Sequence, residues 1–171
     1  MKKLVFIFTA ILAISISQSA FAQKKSIVDI AVGNEDFSTL VAALKAADLV
    51  GALQGEGPFT VFAPTNAAFG KIDSKTLNSL LEPQNKSTLA GILTYHVVSG
   101  NLAAADVVNA LKKGNGKAEV TTLNGGTLTV VQKDGKIWLQ DQNGNYSQIV
   151  STDIMASNGV IHVIESVVMP K

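Results

Sequence analysis

Three dipeptides, Asn124-Gly125, Asp134-Gly135 and Asn143-Gly144, stand ten and nine residues apart and constrain the C-terminal part of this chain more than any other feature. Asn-Gly and Asp-Gly pairs readily take the two positive-φ positions of a type I′ turn, whose twist matches that of the antiparallel strands it joins. Between them apolar and polar residues alternate with period two. Strands are therefore predicted at Glu119–Leu123, Thr127–Gln132, Lys136–Gln140 and Tyr146–Val150. Short strands joined this way can only be neighbours, so the region must be an antiparallel meander. Val160-Ile161-His162-Val163-Ile164 predicts a final apolar strand, with Val167-Val168-Met169 behind it.

The preceding half reads as helical. Phe37, Leu40, Val41 and Leu44 fall at i, i+3, i+4 and i+7, with Asp36 placed to cap that helix. Ser26 can cap a short helix over Ile27–Ala31, and Asp48 a turn through Leu53 that Gly55-Glu56-Gly57-Pro58 stops. Phe59–Ala63 predicts a strand, after which Thr65 or Asn66 opens a helix over Ala67–Phe69. Further helices are expected over Ser74–Leu81, from Ser87 to about Leu93, and over Ala104–Lys113. The last has Asp106 in its first turn and lysines in its final one, as the helix dipole favours. Tyr95-His96-Val97-Val98 reads as strand-like. Helices gathered first and a meander after them predict an α+β domain.

The first residues have the form of an export leader: Lys2 and Lys3, an apolar run from Leu4 to Ile16, then Ala20-Phe21-Ala22. Cleavage after Ala22 would leave residues 23–171 as a single domain, secreted or periplasmic. A retained anchor would need about 20 apolar residues, and Ser17-Gln18-Ser19 ends the run first. No membrane insertion is expected after cleavage. The chain has no cysteine, which rules out a lipid anchor, thiol catalysis and cysteine-ligated metal. All 14 cationic residues are lysines; without Lys2 and Lys3, 12 face 13 acidic residues, a net charge of −1. With no basic cluster to neutralise phosphates, nucleic acid is not an expected partner.

Three ordered segments carry a family resemblance: Gly57-Pro58-Phe59-Thr60-Val61-Phe62-Ala63-Pro64-Thr65-Asn66-Ala67-Ala68-Phe69, then Tyr95-His96-Val97-Val98 with Gly100, then Asn158-Gly159-Val160-Ile161-His162-Val163-Ile164 running to Pro170. Together they resemble the signature of the fasciclin-like domain, and the likeness covers essentially the whole exported part. It implies a helical N-terminal part packed on a wedge-like β-sandwich. It also implies a non-enzymatic module for adhesion to a cell-surface or extracellular-matrix component, protein or polysaccharide, acting as a monomer or through weak self-association. Asn66 stands where members often carry Asp; either side chain can cap a helix.

The titratable residues carry little chemistry of their own. His96 could be a metal ligand, a base or a pH switch, or a buried imidazole bonded to backbone. The resemblance associates the Tyr95-His96 pair with fold integrity and its surroundings with receptor binding. His162 lies in the last apolar strand, 66 positions from His96, so the two have no metal-binding spacing. There is no nucleophile elbow and no phosphate loop, and no cofactor is implied. In animal fasciclin-like proteins an Asp-Ile pair before the last motif is implicated in integrin recognition, and Asp153-Ile154 matches it. The alternative is that Asp153 caps a turn while Ile154 packs in the core. Candidate contact residues are therefore Tyr95, His96, Asp153 and Ile154. A carrier of a small apolar ligand would instead need an open pocket lined by Phe37, Phe62 or Phe69. A hydrolase would need two carboxylates convergent on one bond. Asn85-Lys86-Ser87 and Asn145-Tyr146-Ser147 match the glycosylation sequon and read as coincidences of a short pattern.

Overall fold

A computed structural model describes residues 24–171; the expected leader and its cleavage point lie outside the described residues. The helical part comprises α1 (Ile27–Val32), α2 (Ser38–Ala46) and α3 (Val50–Gln54), followed by strand β1 (Phe59–Pro64). Next come α4 (Asn66–Phe69), α5 (Ser74–Leu80), α6 (Lys86–Tyr95), strand β2 (Val97–Ser99) and α7 (Ala104–Lys113). The meander then runs through β3 (Lys117–Thr121), β4 (Thr127–Lys133), β5 (Lys136–Gln140), β6 (Tyr146–Ala156) and β7 (Gly159–Ile164). The α+β organisation is thus as the patterning predicts.

The strands form one sheet in the order β2-β1-β7-β6-β5-β4-β3. Neighbours are antiparallel except β1 and β7, which run parallel from Phe59 opposite Gly159 to Pro64 opposite Ile164. Register shifts between Ile149 and Ser151 and between Ser151 and Ile154 bend β6, the strand shared by the two halves of the sheet. The halves fold over each other as a wedge. Its ends meet where Val98 bridges Thr122 and the Leu123 N–H donates to the Val97 carbonyl at 2.8 Å. That contact covers backbone that would otherwise be an open edge.

Period two on β1 and β7 divides the core. Val61, Ala63, Ile161 and Val163 pack against Phe37, Leu40 and Leu44 on the helical side. Phe62 and Ile164, from the same strands, enter the wedge with Tyr95, Leu111, Leu128, Val130 and Leu139. Both faces of β1 and β7 are therefore covered, which explains their nearly continuous apolar sequence.

Local details depart from the sequence expectations in instructive ways. Ser26 caps α1 in a reciprocal capping box with Asp29. Asp36 is not the cap before α2. It lies in a 3₁₀ turn whose first amides are held by Asn34, with the Asp36 N–H donating to Asn34 Oδ1 at 3.0 Å. Asp48 adopts φ of 59° after α2, and α3 has no side-chain cap. Thr65 caps α4, which frees Asn66 to cross-link segments. The Asn66 Oδ1 accepts from Thr39 N–H at 2.9 Å, and its Nδ2 donates to the Glu35 carbonyl and Ser38 Oγ.

Of the three glycine dipeptides, only Asp134-Gly135 has positive φ at both residues, 53° and 74°. At the other two, glycine alone is left-handed, and it follows a turn closed by Gly125 N–H to the Thr122 carbonyl or Gly144 N–H to the Asp141 carbonyl. The reason is side-chain competition for the turn amides. Asp141 Oδ1 accepts from Asn143 and Asn145 N–H at 2.9 and 2.8 Å, and Asn124 Oδ1 accepts from Gly126 N–H at 2.8 Å.

Candidate interaction surface

Tyr95 is helical rather than strand-like; it ends α6, and His96 is the residue that joins this helix to β2. Neither side chain reaches the surface, with relative exposures of 0% and 2%. The Tyr95 hydroxyl donates to the Thr127 carbonyl at 2.7 Å and accepts from Gln142 N–H at 3.2 Å, so it ties α6 to two turns of the meander. Burial raises its pKa. The ring lies so close to Gly126 that a Cβ there would fall 2.8 Å from Tyr95 Cε2.

His96 Nδ1 lies 2.8 Å from the Ile92 carbonyl, and Nε2 accepts from Val168 N–H at 3.2 Å. A carbonyl on one nitrogen and an N–H on the other require the neutral Nδ1–H tautomer. Burial agrees with this, lowering the imidazole to about 4. As contact residues for a partner, then, Tyr95 and His96 are corrected by their burial: they position backbone from the inside.

The link between β2 and α7 is held almost atom by atom. Thr60 Oγ1 donates to the Gly100 carbonyl at 2.7 Å and accepts from Leu102 N–H at 2.8 Å. His162, buried and stacked on Phe62 with ring centroids 5.7 Å apart, has Nε2 2.7 Å from the Leu102 carbonyl. Its Nδ1 faces Asp153 N–H at 3.4 Å. Finally, Asp153 Oδ1 accepts from Ala104 N–H at 2.8 Å, capping the start of α7. A buried imidazole thus anchors the backbone of the bulge that carries Asp153.

Asp153 is exposed, sits at φ of 58°, and keeps its second carboxylate oxygen without a protein hydrogen bond among the described residues. Ile154 is half-buried against the helical core. The pair is therefore split: the aspartate is a helix cap facing solvent, and the isoleucine is packing. Met155 beside them is 62% exposed. It stands at the lip of an open groove of about 540 Å³ between Gln54–Pro58, Asn101 and the β6–β7 turn.

Asn158, which sequence reasoning did not single out, fixes that turn. Its Oδ1 accepts from Ile27 N–H at 3.0 Å and its Nδ2 donates to the Leu53 and Gly55 carbonyls at 2.7 and 3.0 Å. The Asn158-Gly159 dipeptide marks a turn, but its bonds to residues more than 100 positions away leave no local signal. Asp141 was equally silent. It is a buried carboxylate that holds the Asn143–Asn145 turn and accepts from Met169 N–H at 3.2 Å.

Phe37, Phe62 and Phe69 are all buried, and they divide between the two cores. The void beside Phe37 and Phe62 measures about 20 Å³, room for one water rather than for an apolar ligand. Among the described residues no group of three His, Asp or Glu side chains could hold a metal ion, and no helix is long and apolar enough to cross a membrane. The sequon residues are engaged structurally: Asn85 Nδ2 donates to the Ser79 carbonyl at 2.7 Å, and Asn145 Nδ2 to Asp141 Oδ2 at 3.1 Å.

Comparison with known proteins agrees with this architecture. The family model described as Fasciclin domain matches residues 35–170. Protein sll1483 of Synechocystis is 52% identical over 155 residues, covering 91% of this chain and 79% of that protein. The transforming growth factor-beta-induced protein ig-h3 of Sus scrofa is 37% identical over 150 residues, 85% of this chain but 19% of its own length. Among solved structures, a FAS1 domain pair from the insect cell adhesion molecule Fasciclin I superposes with a TM-score of 0.60 at 20% identity, covering 80% of this chain and 46% of that one.

Proposed function

Because the chain belongs to the Fasciclin domain family, we propose that it is an exported, non-catalytic binding module whose β6–β7 tip docks a cell-surface or matrix component. Relatives bearing this domain include a cell surface glycolipoprotein of Mycobacterium bovis, and the fold is shared with an insect cell adhesion molecule, which supports an interaction module. The leader-like residues 1–22 support delivery outside the cytoplasm, in the periplasm or medium.

The observation that carries the reading is the rigid presentation of Asp153 and Met155. His162 and Ala104 fix the bulge from beneath, Asn158 fixes the turn, and an apolar side chain with 62% exposure overlooks the groove. A preorganised anchor loses little conformational entropy on docking. The free oxygen of Asp153 can accept a hydrogen bond or meet a partner-held cation. The partner is a surface protein or polysaccharide, and weak self-association would add avidity.

Purified protein is expected to be retained by envelope or matrix fractions of its own and neighbouring cells. Met155→Asp should reduce that retention at least fivefold, and Asp153→Asn, which keeps the cap to Ala104, should remove any part of it that chelators abolish. Retention that neither substitution alters would reject the tip as the docking surface.

A further inference from the structure

Among the described residues, no helix packs over the outer face of the β3–β4–β5–β6 half of the sheet, α7 lying on its inner face with Leu128, Val130 and Leu139. On β5, Ile137 and Leu139 turn into the wedge, which by strand alternation directs Trp138 outward. Trp138 is paired with Val131 on one side and Gln148 on the other. Tyr146, opposite Gln140, is its diagonal neighbour, at the distance of about 7–8 Å typical of such pairs. Trp138, Tyr146, Lys133 and Asp134 line a pocket of about 190 Å³.

Three properties of this pocket need a common cause. First, it holds the chain's single tryptophan and an exposed tyrosine at 51%, placed where neither is needed for the core. Second, Trp138 is only half-buried, so part of its side chain lines the pocket. Third, the turn beside the rings presents charges of both signs, Lys133 and Asp134, with Lys136 next to them bonded to Gln148 Oε1 at 3.2 Å.

We propose that this pocket is a subsite for one pyranose ring of a neutral glycan. A sugar ring has a C–H face that packs on an aromatic side chain and an equatorial rim of hydroxyls that both donate and accept. Trp138 and Tyr146 match the face. Asp134 matches hydroxyl donors, and Lys133 matches hydroxyl oxygens. A lipid would leave the charges of the turn unpaired, and Asp134 offers an acceptor that an anion could not use. The subsite rests on the module being a binding protein but shares no residue with the β6–β7 tip, and it lies at the opposite end of β6.

Trp138 is its own reporter. Titrating purified protein with cellohexaose, maltohexaose and chitohexaose should give a saturable change in tryptophan emission with at least one of them. Sorbitol, which has hydroxyls but no ring face, should give none. Tyr146→Ala should weaken the response at least tenfold, and Asp134→Asn, which suits the left-handed backbone there, several-fold. Circular dichroism confirms that both variants fold. No saturation with any of the three sugars overturns the assignment, as does an equal response to sorbitol or an unchanged response in Tyr146→Ala. Saturation by sodium sulfate in place of sugar would make this an anion site and equally overturn it. Loss of surface retention in Met155→Asp with the sugar response intact would separate the two surfaces.

Discussion

Protonating His96 should unfold this domain by about 3 kcal/mol, and the loss should fall in a defined pH window. The folded imidazole titrates at about 4, against an ordinary value of about 6.5. As pH drops through 6.5 the unfolded chain takes a proton that the folded chain refuses. The unfolded state then binds more protons, so stability falls with falling pH. The contribution is intact above pH 6.5, shrinks by about 1.4 kcal/mol per pH unit below it, and is exhausted near pH 4. At pH 5 the loss is about 2 kcal/mol, a large part of the roughly 5–15 kcal/mol that holds a domain together.

The structural cause is specific. A proton on Nε2 would face the Val168 N–H, which now donates to it. The C-terminal segment that passes His96 would be released first. Urea unfolding at pH 8, 6.5 and 5 tests this against His96→Gln, whose amide keeps one donor and one acceptor but does not titrate. The variant should start less stable and lose about 2 kcal/mol less between pH 8 and pH 5. In parallel, the His96 ring resonances of the intact protein should not titrate until pH nears 4. Profiles that run parallel within about 0.5 kcal/mol, or a His96 resonance that titrates near 6.5, would refute the reasoning.

Other substitutions test the buried framework. Gly126→Ala drives a methyl into the Tyr95 ring and should cost about 1–3 kcal/mol in thermal or urea unfolding. Tyr95→Phe keeps the ring but strips the Gln142 N–H and Thr127 carbonyl of their partner, a loss of about 1–3 kcal/mol readable in the same assay. Asp153→Ala removes the cap on α7 and should cost about 1 kcal/mol, whereas Asp153→Asn should be nearly neutral in stability. Hydrogen exchange at Ala104 should quicken in the alanine variant alone.

Much of the fold was legible because it is written in local periodicity. The helix over Ala104–Lys113 and the strand over Lys136–Gln140 agree with the observed elements residue for residue. The strand predicted at Phe59–Ala63 is observed over Phe59–Pro64, with one face toward the helices and the other toward the wedge. What failed was chemistry in which a side chain competes with its neighbours: Asp36 lost its cap to Asn34, and Asp141 and Asn124 reshaped two of the three glycine turns. The candidate site was half legible. Asp153 is at the surface as a contact residue needs to be, yet its bond to Ala104 spans 49 positions.

The sequence by itself determines which residues share a helix face or a strand face, where turns fall, that no disulfide holds the fold, and which family the ordered motifs resemble. Those follow from backbone periods of 3.6 and 2 and from the stereochemistry of glycine and asparagine. Only the tertiary structure decides that Tyr95 and His96 are inside, because their burial is completed by Gly126, Gln142 and Val168, which arrive from far along the chain. It likewise decides that Asp153 caps a helix while Met155 is left free at the surface. Local patterning states which face is apolar; closure of the sheet through Val98 and Thr122 determines what that face will meet.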